Sequence, residues 1–204
     1  MYYCVILQNK IIDQMIKRLA VFGSGNGSNA QAITEYFSES CDARVVLILS
    51  NREDAFVLQR ATALNIPVRV FNRVDFYETE VITRFLIDQQ IDMIVLAGFL
   101  WLLPPSLIKA FPDRIINIHP ALLPKFGGKG MYGSKVHSAV IDAGEKESGI
   151  SIHFINENYD QGKIIFQARC TVEKDDTPES LAAKIHVLEY THFPTIINQV
   201  LKTF

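Results

Sequence analysis

Apolar residues in this chain follow two rhythms that take turns along its length. In the first they run without a break, as in Leu19-Ala20-Val21-Phe22, Val45-Val46-Leu47-Ile48-Leu49 and Met93-Ile94-Val95-Leu96. Short runs of this kind fit strands covered on both faces. In the second they recur every three or four residues, as at Ala30, Ile33 and Phe37, which lines them up on one side of a helix. The pattern predicts strands at 19–22, 44–50, 67–71, 93–96, 115–118, 151–154 and 163–172. It predicts helices at 29–39, 55–64, 77–89, 105–110, 135–143 and 178–201. The last helix opens on Thr177-Pro178-Glu179: a capping side chain, a proline at the first helical position and an acid in the first turn. Such alternation predicts a single-domain α/β fold, an open, mostly parallel twisted sheet with helices on both faces. The final two strands, joined by a short loop at 156–162, are expected to pair antiparallel as an edge addition.

Length and charge narrow the function classes. A chain of 204 residues buries one substantial core, so a single catalytic domain is expected over residues 15–204. Residues 1–14 precede the first motif-bearing strand and read as an extension without assigned chemistry. The apolar run at 2–7 is too short to span a bilayer and lacks the basic flank of a secretion signal. The net charge of −2 offers no general attraction to nucleic acid or anionic membranes. Small molecules are the expected partners of a monomer or homodimer, and any phosphate has to be held locally. Cys4, Cys41 and Cys170 are odd in number and form no C-x-x-C, which suits a reducing, cytoplasmic setting. The five histidines form no H-E-x-x-H, so no metal is expected.

Three segments carry candidate chemistry. In Ile116-Asn117-Ile118-His119-Pro120, Asn117 and His119 stand two apart on a strand and share a face. An amide donor beside an imidazole suits an oxyanion and a proton in motion; the same pair also suits a turn former beside a core histidine. Gly23-Ser24-Gly25-Asn26-Gly27-Ser28-Asn29 lies between a strand and a helix and could cradle an anion, or simply cap the helix through Ser28 or Asn29. It matches neither the dinucleotide fingerprint nor the ATP-type P-loop. The third segment, Asn156 to Gly162, is either an ordinary hairpin turn or a carrier for the Asp160 carboxylate.

Taken together, these segments resemble the folate-dependent formyltransferases, and within them the branch that acts on phosphoribosylglycinamide in purine synthesis. The shared words are Ser24-Gly25-Asn26-Gly27-Ser28-Asn29, Ser50-Asn51-Arg52, Asp54-Ala55-Phe56 and Val95-Leu96-Ala97-Gly98-Phe99. Asn117-Ile118-His119-Pro120, Leu122-Leu123-Pro124-Lys125 and Asp160-x-Gly162 follow in the family's order. The resemblance implies a Rossmann-like fold and transfer of a formyl group from 10-formyltetrahydrofolate, as co-substrate, to the substrate amine. It implies Asn117, His119 and Asp160 as catalytic residues, with Asp160 raising the His119 pKa so that a protonated imidazole donates to the oxyanion. Gly27, Ser28 and Asn29 would hold the phosphate, and Glu189 the ribose hydroxyls. Arg73 would contact the folate, while Leu100, Trp101 and Leu103, with the loop from Asn156 to Asp160, would enclose its pterin and linker.

Two departures bear on the pockets rather than the catalytic trio. Residues 125–133 form a longer, glycine-rich segment than is usual in the family, its 127–133 part a candidate lid, and Trp101 stands where an arginine is frequent. The rival readings are a formyltetrahydrofolate hydrolase and a catalytically inactive folate-binding module. The hydrolase carries an added N-terminal regulatory domain that fourteen residues before Met15 are too few to form. The tRNA formyltransferase branch needs a C-terminal RNA-binding domain and a basic surface, which this chain is not expected to have.

Overall fold

The computed structural model describes residues 16–204, so the expectations for residues 1–14 lie outside the described residues. Strand β1 (Lys17–Phe22) leads through the glycine loop to α1 (Ser28–Phe37), then β2 (Ala43–Ser50), α2 (Phe56–Ala63) and β3 (Val68–Val70). A π-helical turn (Val74–Glu78), α3 (Val81–Asp88), β4 (Met93–Leu96), α4 (Pro105–Ala110) and β5 (Ile115–His119) follow. The chain closes with α5 (Ser134–Asp142), β6 (Glu147–Phe154), β7 (Ile164–Thr171) and α6 (Pro178–Leu201). One sheet holds the strands in the order β3-β2-β1-β4-β5-β6-β7. Pairing is parallel from β3 to β5, whereas β6 runs antiparallel to β5 and β7 antiparallel to β6.

The unbroken apolar runs are explained by two cores, one on each face of the sheet. Leu19, Val21, Met93 and Val95 enter the first core; Ala20, Phe22, Ile94 and Leu96 enter the second. Phe37, Val57, Val140 and Phe193 bring α1, α2, α5 and α6 onto the first face. Phe76, Leu86 and Leu107 bring the π-helical turn, α3 and α4 onto the other. In β2, Val45 and Ile48 reach the same core although they are three apart. Register with β1 slips between Leu19 and Ala20, passing over Val46, and this bulge switches the alternation.

The helix expected at 77–89 is divided. Its first part is the π-helical turn, and Glu80 takes a positive φ of 54° before α3 begins. Helical periodicity misses the break because Phe76, Ile82 and Leu86 still reach one core. The cap expected for α6 is present and reciprocal: Thr177 accepts from the Ser180 amide, and the Ser180 hydroxyl accepts from the Thr177 amide.

Strand order reverses direction between β1 and β4. Loops leaving the C-terminal ends of parallel strands diverge at such a point and leave a crevice, the usual place for a ligand in this kind of sheet.

Candidate active site

The loops after β1, β4 and β5 line a cavity of about 580 Å³, a normal size for a small-molecule site. Gly27 shapes its first wall. At φ 78° it occupies the N-cap of α1, and an added Cβ would lie 2.5 Å from the Val57 side chain, so only glycine fits. No side chain caps α1, so the first-turn amides beside the cavity are left without a side-chain partner. Ser28 and Asn29 therefore line the cavity without capping. The Asn29 side chain instead donates from Nδ2 to Glu189 Oε2 at 2.9 Å. Below the loop, Ser24 Oγ donates to Asn51 Oδ1 at 2.6 Å and accepts from the Leu100 amide at 3.1 Å, tying three strand-end loops together.

Asn117 and His119 both face this cavity from β5, and Asp160 reaches it from the loop between β6 and β7. His119 Nε2 donates to the Phe126 carbonyl at 2.8 Å. A carbonyl only accepts, so Nε2 carries the hydrogen and Nδ1 is left to bind or release a proton. Asp160 Oδ2 lies 3.6 Å from that Nδ1 and accepts from the Gly128 amide at 2.9 Å. Residues 128–133 thus form a cavity wall anchored by the same carboxylate that faces His119.

A further histidine supports the trio. His153 is fully buried on β6, directly opposite Asn117 in the antiparallel register. Its Nδ1 donates to the Phe154 carbonyl at 2.9 Å, so in the neutral ring Nε2 accepts from Asn117 Nδ2 at 3.1 Å. This turns the Asn117 NH₂ group toward His153 and leaves its second N–H for a ligand. His153 Nε2 is also 3.6 Å from Asp160 Oδ1.

Burial pushes the His119 imidazole below the ordinary histidine range; Asp160 and the Phe126 carbonyl pull upward without making up the difference. The expected upward pull of Asp160 on His119 is present, but it does not lift the imidazole above its ordinary value. Asp160 acts in the expected direction, but burial is the larger effect. Burial also works against the Asp160 charge, yet the nearby His153 and His119 rings and the Gly128 amide together hold the carboxyl below its usual range.

The residues expected around the folate are only partly gathered. Trp101, Leu103, Asn156 and Asp160 line a cleft of about 50 Å³ beside the main cavity, and Leu100 lines the cavity itself. Arg73 lines neither; its guanidinium stacks 4.8 Å from the Trp101 ring.

The sequence model of a family described as Formyl transferase matches residues 17–197. The chain belongs to this family. It is 43% identical over 190 residues to the chloroplastic phosphoribosylglycinamide formyltransferase of Arabidopsis thaliana, covering 90% of this chain and 65% of that protein. It is 36% identical over 191 residues to the phosphoribosylglycinamide formyltransferase of Bacillus subtilis, covering 91% of this chain and 95% of that protein. The crystal structure of glycinamide ribonucleotide transformylase 1 from Symbiobacterium toebii superimposes with a TM-score of 0.84 at 30% identity, over 93% of this chain and 89% of that one. The chain therefore spans just under two thirds of the Arabidopsis protein but nearly all of the Bacillus protein.

In this formyl transferase, His137 and His186 also line the cavity, and neither was singled out from the sequence. Both stand on helices whose apolar spacing says nothing of a facing loop. His153 did leave a trace, a polar residue inside an alternating strand, but its partner depends on strand register. Among the described residues, no group of His, Cys, Asp and Glu is placed to hold a metal, and no helix is long and apolar enough to cross a membrane.

The buried histidines make stability depend on pH. Burial lowers both His119 and His137 from the ordinary value of 6.5. Their contribution is complete above that value and drains away as pH falls through the folded-state values, because the unfolded chain takes up protons first. His186, raised by its bond to Glu189, acts in the opposite sense but is half exposed, so its contribution is screened. The expected result is a lower Tm at about pH 5.5 than at about pH 7.5, with a shallower slope in His119→Gln. A Tm that rises on acidification would contradict this.

Proposed function

We propose that this formyl transferase moves the formyl group of 10-formyltetrahydrofolate to the amine of phosphoribosylglycinamide, giving the N-formyl product and tetrahydrofolate in purine synthesis. The observation carrying the reading is that uncapped helix amides, an amide donor and a His–Asp pair line one cavity. The α1 amides of Gly27, Ser28 and Asn29 hold the phosphate, and Glu189 holds the ribose. Trp101, Leu103 and Asn156 take the pterin, with Arg73 stacked on Trp101 and Leu100 in the adjoining main cavity.

Chemistry then needs alignment, charge stabilisation and one proton transfer. The neutral amine attacks the formyl carbon, and the free N–H of Asn117 donates to the oxygen as it becomes negative. His119 Nδ1, neutral at rest, takes the proton released by the amine. Asp160 stabilises the resulting imidazolium from 3.6 Å away, beside the oxyanion. When the bond to the folate nitrogen breaks, that nitrogen receives the proton from His119. The enzyme returns to its starting state with no covalent intermediate. We assign the protein to the cytoplasm as a monomer or homodimer acting on small molecules.

A formyl-transfer assay with phosphoribosylglycinamide, glycine and water as acceptors tests the reading. Transfer to phosphoribosylglycinamide alone is expected. Formate release at a comparable rate would identify a hydrolase, and ligand binding without turnover would identify an inactive binding module.

A further inference from the structure

Two buried side-chain atoms on residues lining the main cavity have no hydrogen-bond partner, Asn29 Oδ1 and His137 Nδ1. His137 is 4% exposed, and Glu189, which lines the same cavity, is 5% exposed. Glu189 accepts from Asn29 Nδ2 at 2.9 Å and from His186 Nδ1 at 3.0 Å, and both bonds fall on Oε2. Its Oε1 is left for a ligand. His137 lies within electrostatic reach of Glu189, His186 and His119, so these groups surround one corner of the cavity.

Leaving a buried polar atom unpaired costs about 1–3 kcal/mol, so two on one wall point to a ligand that supplies the partners. Asn29 Oδ1 and Glu189 Oε1 only accept, and the ligand must therefore bring O–H or N–H donors. Burial disfavours the charged form of His137, and in the neutral ring Nδ1 offers a hydrogen or a lone pair according to tautomer. A phosphate oxygen, an acceptor facing acceptors, does not suit this corner. An ammonium suits the two oxygens, and His137 only in the tautomer that leaves a lone pair on Nδ1; where Nδ1 carries the hydrogen, an ammonium has nothing to accept it. Hydroxyl groups donate and accept, and a neighbouring pair of them satisfies every group present.

We propose that His137, with Asn29 and Glu189, reads a sugar hydroxyl of the substrate, so that the site discriminates a ribosyl from a 2-deoxyribosyl ligand. This rests on the phosphoribosyl reading above and adds to it a specificity-determining residue on α5. Titration calorimetry without folate, using phosphoribosylglycinamide and its 2-deoxyribosyl analogue, tests it in the wild type, His137→Gln and His137→Phe. The wild type should bind the ribosyl ligand at least about tenfold more tightly, because removing a hydroxyl strands buried polar groups. In the variants the gap should shrink to about threefold or less, through weaker binding of the ribosyl ligand alone. In steady-state assays KM for the ribosyl substrate should rise more than kcat falls, with KM for folate unchanged. Equal loss for both sugars would indicate a merely structural residue and overturn the proposal. So would a wild type that binds the two sugars equally, a comparison that stands even if a variant fails to fold. A wild type that binds neither sugar sinks the phosphoribosyl reading itself.

Discussion

Asp160→Asn should lower turnover at least about a hundredfold while leaving the fold and binding of the ribosyl substrate intact. The substitution keeps the shape of the side chain and an oxygen able to accept from the Gly128 amide, 2.9 Å away in the native protein. It removes the charge. Burial already disfavours a protonated His119, and the carboxylate 3.6 Å from Nδ1 is the principal group pulling the other way. Without it the imidazolium formed during transfer has no counter-charge in a desolvated site. His119→Ala, which removes the proton carrier itself, should lose at least as much. Single-turnover rates, with circular dichroism and ligand titration as controls, measure both effects. Rates near wild type in either variant would refute the proposed proton path.

Gly162→Ala should damage stability and activity together. A Cβ built there lies 1.6 Å from the Phe154 carbonyl oxygen and 2.7 Å from its carbon, backbone atoms that a rotamer change cannot move. The two chain segments would have to separate, although the Phe154 amide donates to the Lys163 carbonyl at 2.9 Å across the same junction. The Phe154 carbonyl also accepts from His153 Nδ1 at 2.9 Å, so its displacement loosens the ring that orients Asn117. A cost of about 2–4 kcal/mol is expected, which for a domain of this size lowers Tm by about 5–15 °C. Gly25→Ala is the control for stability, since nothing lies within 4 Å of its added Cβ. Thermal unfolding of the pair decides the matter: a Gly162→Ala Tm indistinguishable from that of Gly25→Ala would show that the junction yields freely.

Much of the fold was legible in local pattern. Runs such as 19–22 and 93–96 have no polar side because both faces of their strands are covered, and that signal survives in sequence order. The spacing of Asn117 and His119 sufficed to put both on one cavity, since alternation along a strand is a property of the backbone. The glycine loop marked a helix start, while the absence of a cap from Ser28 or Asn29 was decided by the structure. Where pattern misled, as at 77–89, a local break left the burial period intact, so apolar spacing carried no record of Glu80 at positive φ.

The remaining features depend on groups distant along the chain. Asn29 and Glu189 are 160 residues apart and meet because α1 and α6 pack on the same sheet face. His153 reaches Asn117 through the register of an antiparallel pair, which a one-residue slip would reverse. The charge of His119 at rest follows from how deeply the loops bury it, weighed against one carboxylate brought from another loop. Local chemistry thus placed the imidazole and the amide on one strand; their protonation and orientation, and the unpaired His137 beside Glu189, follow from desolvation and contact, which exist only in the assembled fold.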